Sequence, residues 1–473
     1  MEPDPRSFGP LVRAALDDTT QRRNLDHVVR LVRARRQAAF EAMEDGPALQ
    51  RMGGAIKEAC LARLPDLLEE LEANLTRRGV RVHWAETTAE ANRIVLEIAR
   101  RRGVELVVKG KSMVSEEMGL NAFLETHGIE ALEADLGEFI VQLAGQPPSH
   151  IVAPAIHLNR HQIAALFHEK LGGDPAAGVE AMTAMARSIL REKFQRAGMG
   201  VTGVNFAVAE TGTLALVENE GNGRMVTTVP PVHVALMGLE KVVARLSDVP
   251  PLMRLLCRSA TGQPISTYFN WIAGPRRPGE KDGPEEVHLV LLDNGRSAIH
   301  ADAQLRETLA CIRCGACLNI CPVYARIGGH AYRSVYMGPI GKILSPQLAG
   351  LERGGHLAGA STLCGACQEV CPVRIPIPSL LLRLRQEGAR PTPAGRALLG
   401  ARGGGRAEAM VWKGWQVFHS RAATYRVFTR LARLLGGAVP DGVGPLRAWT
   451  RHRRRPPIAR RSLHHLLRDR ADA

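Results

Sequence analysis

Seven of the nine cysteines in this 473-residue chain fall between positions 311 and 371. No other feature constrains the chain as tightly. The first four stand in CIRCGACLNICPV, at Cys311, Cys314, Cys317 and Cys321, with Pro322 behind the last. The other three stand in STLCGACQEVCPV, at Cys364, Cys367 and Cys371, again followed by proline. A disulfide framework would spread pairs along a secreted chain, and this pattern does not. Two-residue spacers let neighbouring thiolates point into one pocket, and the small residues Gly315 and Ala316 let backbone N–H groups approach sulfur. The spacing C-x2-C-x2-C-x3-C-P is that of a bacterial iron–sulfur run. A zinc ribbon also uses C-x2-C, but as two pairs, not as four cysteines ending in Cys-Pro.

The second run lacks its first cysteine, and Ser361 stands in that place. In two-cluster ferredoxins the fourth cysteine of each run serves the other cluster. By that rule Cys311, Cys314, Cys317 and Cys371 hold one 4Fe–4S cluster. Cys321, Cys364 and Cys367 hold a second, whose fourth corner faces Ser361. Four arrangements meet the pattern. Ser361 ligates as an alkoxide; the corner holds water or a small exogenous ligand; the corner iron is absent and the cluster is 3Fe–4S; or Ser361 only N-caps the helix that carries Cys364 and Cys367. Residues 322–363 separate the runs and read as helix and loop, as in helical ferredoxin modules that carry electrons between clusters. His330 and His356 in this stretch are expected to be hydrogen-bonded or surface groups rather than ligands.

The rest of the chain divides by periodicity. Residues 1–60 read as a helical extension, with LDHVVRLVRARRQAAFEAM apolar at helical spacing. Residues 61–296 alternate strand and helix: RVHWAE, VELVVKG, IVAPA, NFAVAE, TLALVEN, VHVALMG and VHLVLLDNG are expected strands, and TAEANRIVLEIARRRG a helix with a glycine stop. That alternation predicts a largely parallel α/β sheet, interrupted by a hairpin turning on Thr211 and Gly212. Residues 297–390 offer helical pieces around the cysteines and no strong strand. Residues 391–473 begin with a Pro/Gly-rich linker and continue as a basic helical region. Cys60 and Cys257, outside the runs, are expected to be small buried hydrophobes. The opening MEPDPRSFGP is unlike a signal peptide, and no apolar run nears the ~20 residues that span a bilayer. These features predict a cytoplasmic protein. The net charge of +15 admits nucleic acid, anionic membrane or acidic partners.

Four segments resemble the lactate utilization protein B family: VKGKSMVSEEMGLN, NFAVAETGTLALVENEGN, CIRCGACLNICPVYARIGGHAYRSVYMGPIGKIL and LCGACQEVCPVRIPIPSLLLRLR. The resemblance runs from about residue 20 to the tail. It implies a LUD domain, with the open α/β sheet of sugar-phosphate isomerases and CoA transferases, fused to a helical two-cluster ferredoxin module and a C-terminal extension. It implies a non-catalytic iron–sulfur subunit that passes electrons from L-lactate oxidation to pyruvate towards the respiratory chain. It also implies two partners, a cysteine-rich subunit and a LUD-only subunit. An alternative is an enzyme with transfer chemistry in the LUD crevice and structural or regulatory clusters. An electron carrier for another 2-hydroxy acid, such as glycolate, would leave the same cysteine pattern.

Other candidate groups are weaker. KGKSMVSEEMG follows a strand and opens a helix, so Lys109, Lys111 and Ser112 either meet an anion or form a capped helix start with solvated lysines. It is not a Walker loop, because Glu105 stands where the first glycine belongs. Glu218 or Glu220 in VENEGNGR is either a nucleophile, as in CoA transferases, or a plain turn residue. His157 and His161 have i, i+4 spacing without the glutamate of a zinc-protease motif. The tail WTRHRRRPPIARRSLHHLLRDR has no reader fold or aromatic platform for nucleic acid. It suits an acidic partner, a peripheral site at the inner face of a membrane, or a solvated end.

Overall fold

In a computed structural model, which describes residues 3–110, 112–389 and 406–436 and isolated positions from 450 onward, the apolar runs of the α/β segment build two sheets. Its strands are β1 (Arg81–Ala85), β2 (Leu106–Gly110), β3 (Glu130–Glu133), β4 (Met199–Gly203), β5 (Phe206–Val208), β6 (Thr213–Glu218), β7 (Val232–Gly238), β8 (Val242–Val243), β9 (Tyr268–Ile272) and β10 (Glu286–Leu292). Six of them pair in parallel, in the order β1-β10-β7-β4-β2-β3. The remaining four form a smaller sheet, β8-β5-β6-β9. Within it β5 and β6 are an antiparallel hairpin whose turn is released by Gly212 at φ +59°.

Burial on both faces explains why the parallel strands are near-continuous apolar runs. Along β10, Val290 and Leu292 point into one core, while Val287, Leu289 and Leu291 point into the other. The first core is closed by the helix Thr88–Arg101, whose Ala91, Val95, Ile98 and Ala99 recur at helical spacing. The Thr87 side chain accepts from the Glu90 N–H at its start. The second core does not end at the sheet. It runs through the helices Gly46–Ala62, Leu64–Arg77 and Val249–Ala260 and continues among Ile312, Leu318, Ile343 and Leu384 around the cysteines. Residues 1–400 accordingly form one compact unit.

The N-terminal helices Pro5–Asp17 and Thr19–Glu41 lie on the cysteine-bearing segment rather than on the parallel sheet. Phe8 meets Tyr332 edge-on at 6.4 Å, and the Arg36 guanidinium donates to the Val370 carbonyl at 2.8 Å. From 299 to 387 there are helices and turns and no strand among the described residues. The main helices there are Gly338–Ala349 and Ile377–Ala389. Cys60 and Cys257 are buried.

Three expectations need correction. IVAPA is not a strand. Pro154 has no N–H for a ladder, and the His150 Nδ1 accepts the Val152 and Ala153 N–H groups that a neighbouring strand would need. His157 and His161 do not share a helix, because the helix there begins at Arg160. β3, β4, β8 and β9 arise from short segments with weak patterns: glutamate-rich EALE, glycine-rich MGVTG, VV and the edge strand YFNWI.

Residues 401–473 form a second unit. Its helices Arg406–His419 and Ala422–Gly436 meet through Phe418 and Phe428, with ring centroids 6.0 Å apart. Residues 390–405 of the linker and most of the basic tail lie outside the described residues.

The close packing of β4 gives a direct test. A Cβ added at Gly200 would stand 2.0 Å from the Val226 carbonyl oxygen. Gly200→Ala is expected to destabilise the 1–400 unit by about 1–3 kcal/mol, seen as a lower urea midpoint.

Candidate metal centre and the crevice beside it

The two cysteine runs fold alike. In the first, Arg313 (φ +61°) and Gly315 (φ +74°) flank Cys314, and a short helix starts at Ala316. In the second, Leu363 (φ +55°) and Gly365 (φ +85°) flank Cys364, and a short helix starts at Ala366. These two helices pack on each other. The Arg313 N–H donates to the Cys311 Sγ at 3.4 Å, and the Leu363 N–H donates to the Ser361 Oγ at 3.2 Å. Ser361 thus repeats with oxygen the local hydrogen bond that Cys311 makes with sulfur. Its hydroxyl closes a turn two residues on. It is not the N-cap of the following helix, a place held by Gly365, and Cys364 precedes that helix.

The thiols gather into two groups. Cys314 feels the charge of Cys311 and Cys371, and Cys317 that of Cys311, Cys314 and Cys371. Cys367 feels Cys321 and Cys364. Burial first, and these neighbours second, push Cys314 up to about 12 and Cys367 up to about 11, and hold Cys317 well above its ordinary value. Burial also lifts Cys371 to about 11. Crowded, desolvated thiols of this kind are stabilised as thiolates by bound cations. Further donors already face sulfur: the Ile375 N–H at 3.3 Å from Cys371, and the fully buried Lys342 ammonium at 3.4 Å from Cys321. Among the described residues, no three His, Cys, Asp or Glu side chains converge as ligands of one metal ion. Soft sulfur donors in desolvated groups, with an N–H and an ammonium facing sulfur, suit iron–sulfur clusters. The groups differ in access. Cys364 is exposed, whereas Cys314 and Cys371 are buried beneath the sheet-side core.

Beside the first group lies a cavity of about 460 Å³. It opens at the C-terminal ends of β2, β4 and β7, where the strand order reverses, the place at which open α/β sheets take ligands. Arg313 and Tyr336 from the cysteine-bearing segment line it together with Ser112, Val204, Glu218, Glu240 and Lys241 from the α/β segment.

Family models match this chain in three parts: a LUD domain over residues 68–292, a 4Fe-4S dicluster domain over 307–375, and the C-terminal region of lactate utilisation protein B over 383–472. Lactate utilization protein B of Bacillus pumilus (strain SAFR-032) is 41% identical over 457 residues, covering 94% of this chain and 93% of the relative. The chain belongs to the lactate utilization protein B family. A Bacillus thuringiensis (strain Al Hakam) lactate utilization protein B is also 41% identical, again covering 94% and 93%. An Escherichia coli (strain K12) relative named "Uncharacterized electron transport protein YkgF" is 43% identical over 80% of each chain.

In this member of the family, several polar candidates turn out to be structural. Lys109 is neither solvated nor free for an anion. Its ammonium is buried and bonded to Ser115, Glu116 and Glu133 at 2.8, 2.8 and 2.6 Å. Burial alone would lower its pKa, but the two carboxylates hold it well above the ordinary lysine range. Ser112 caps the helix Met113–Met118, and Lys111 lies outside the described residues. Both Glu218 oxygens are occupied, by the Gly223 and Arg224 N–H groups and the Asn270 amide. Glu220 accepts from Asn222 at 2.8 Å. His157 bonds to Gln146, His330 donates to the Pro147 carbonyl, and His356 packs edge-on against Phe8.

The residues that join sheet to cysteines were missed from the sequence. Glu240, on the turn after β7, bridges Arg296 at 2.8 Å and Arg313 at 2.9 Å, and all three are buried. Arg296 in turn forms a bidentate pair with Glu117, which also accepts from the Tyr336 hydroxyl. Lys57 donates to the Glu240 carbonyl at 2.7 Å. A charged pair, Glu240–Lys241, directly after the buried strand VHVALMG was the available signal. Burial and Arg313 draw the Lys241 ammonium down to about 8, against the pull of Glu240 and Cys311.

Burial alone would raise the Glu240 carboxyl, but Arg296 and Arg313 draw it down to about 2. Its folded pKa is depressed, so its stabilisation is complete above the ordinary carboxylate pKa of 4.5 and fades as pH falls towards about 2. Glu240→Gln leaves two buried cations short of a partner and is expected to cost about 3–5 kcal/mol at neutral pH. Denaturation series at stepped pH should show that difference shrinking between pH 4.5 and 2.

Proposed function

We propose that this chain is the iron–sulfur electron-transfer subunit of an L-lactate oxidation system. In this reading Cys311, Cys314, Cys317 and Cys371 hold one 4Fe–4S cluster. Cys321, Cys364 and Cys367 hold the second, with Ser361 at its fourth corner. Each cluster, when bound, takes and gives one electron. The observation that carries the reading is the pair of thiol groups in one helical module, the first with Cys314 and Cys371 buried beside the sheet and the second reaching the surface at Cys364. Thiols that run from buried Cys314 and Cys371 to exposed Cys364 suit passage from the interior outward. The names of the relatives, lactate utilization and electron transport, support the substrate and the role. The partners in this reading are a cysteine-rich subunit and a LUD-only subunit. The rival reading, transfer chemistry on Glu218, loses support because both of that carboxylate's oxygens are already hydrogen-bonded.

The C-terminal unit would bring the carrier to the inner face of a membrane. No described helix is long and apolar enough to cross one. The helices Arg406–His419 and Ala422–Gly436 instead expose Trp412, Trp415, Phe418, Val427 and Leu434. Interleaved with these in sequence are Lys413, Arg421, Arg426, Arg430 and Arg433, and Glu408 is the one acid in 406–436. Aromatic and cationic residues in this mixture suit an interfacial helix on anionic lipid.

Anaerobic iron and sulfide analysis with EPR on the full chain tests the carrier. The expected result is about eight irons and a reduced signal from two clusters, with Ser361→Cys altering the spectrum of one of them. Zinc in place of iron would end the reading. For the membrane step, sedimentation with phosphatidylserine vesicles should deplete the chain from solution at low salt and release it as salt rises. Equal binding to neutral vesicles would count against it.

A further inference from the structure

One cation in the crevice has no direct partner. Lys241 lines the cavity from the end of β7, is 8% exposed, and makes no hydrogen bond or ion pair with any described residue. Arg313 lines the same cavity at 9% exposure. Its Nη2 is held by Glu240, but its buried Nη1 has no partner. The acidic side chains around them are engaged. Glu240 pairs with Arg296 and Arg313. Glu218 holds two backbone N–H groups and Asn270. Asp135 caps the helix Leu136–Leu143, and Glu138 and Glu220 also have partners. The wall between is apolar, with Val152, Val204, Leu236 and Leu256. A largely buried ammonium that makes no direct hydrogen bond or ion pair is unfavourable. A positive end without a direct partner, beside an apolar wall in a cleft of mixed lining, at the strand-order reversal of a parallel sheet, describes a site for a small anion with an apolar body.

We propose that the cavity binds a small carboxylate, with its head on Lys241 and beside Arg313. The Arg313 backbone N–H donates to the Cys311 Sγ. A carboxylate held there therefore sits one residue from the first thiol group, and its arrival is felt at that sulfur. The proposal stands on the cavity, and only the choice of lactate and pyruvate as probes rests on the electron-carrier reading.

The test is calorimetric titration of the iron-loaded, full-length chain under argon with pyruvate, L-lactate and acetate. At least one should bind saturably and perturb the EPR signal of a reduced cluster. Lys241→Met should weaken that binding about tenfold or more. Lys241→Arg should keep it, and Lys281→Met, at an exposed site, should leave it unchanged. Should Lys241→Met fail to fold, Val204→Phe fills the cavity without touching the ion network and should abolish binding. Binding of none of the three acids overturns the proposal. So does an unchanged affinity in Lys241→Met, and most directly where that variant shifts the EPR signal, since Lys241 then serves only the cluster. The iron content and reducible signal of the same samples judge the carrier reading separately. A chain that binds pyruvate but carries no reducible iron would keep the site and lose the carrier.

Discussion

A single buried carboxylate joins the two halves of the 1–400 unit. Glu240 leaves the end of the central strand β7 and reaches Arg296 with one oxygen and Arg313 with the other. Arg296 belongs to the helix that follows β10, and Arg313 sits between Cys311 and Cys314. Sheet and cysteine loop are thus fixed by one ion cluster and cannot move independently without exposing unpaired charge in the interior. The apolar core runs past this cluster on the same side. The loop carrying the first thiols is therefore a continuation of the sheet's second face, not an appendage.

The charge around the thiols is uneven. Near the first group stand Arg36, Lys57, Lys241 and Arg313, from an N-terminal helix, its neighbour, the end of β7 and the loop itself. Near the second, Lys342 meets Cys321 directly, and Cys364 lies at the surface. Sulfur that carries charge away from water needs compensating cations. In the first group Cys314 and Cys371 are buried; in the second Cys321 and Cys367 are buried and Cys364 is exposed. The N-terminal helices have a physical role here: they supply Arg36 and close the module over the buried group.

Much of this was legible because it rests on local pattern. The cysteine spacing, the apolar run of β10 and the glycine-stopped helix after β1 each follow from a few residues. So did the hairpin at Gly212, whose positive φ only glycine adopts cheaply. What was not legible depends on distant partners. Lys109 reads as an anion binder or a solvated lysine until Glu133, on another strand, takes it. IVAPA reads as a strand until the His150 ring removes its free N–H groups. Arg313, between two cysteines, carries no signal of its own in the sequence. Only the fold shows that its left-handed backbone presents an N–H to sulfur while its guanidinium reaches Glu240.

Ser361 belongs to both kinds. The sequence marks the position as a gap in a cysteine run, yet spacing cannot say whether the loop still has the shape of a ligand loop. The backbone answers that part. Leu363 and Gly365 repeat the left-handed pair Arg313 and Gly315, and Leu363 repeats the hydrogen bond of Arg313 with oxygen in place of sulfur. A non-glycine residue in that region is strained and persists only where its surroundings hold it. Here the strained turn is kept although the thiol is not. Hydroxyl is a far weaker donor to iron than thiolate, because it gives up its proton much less readily. The loop thus keeps the turn of a cysteine run while presenting an alcohol in place of a thiol, beside the exposed Cys364.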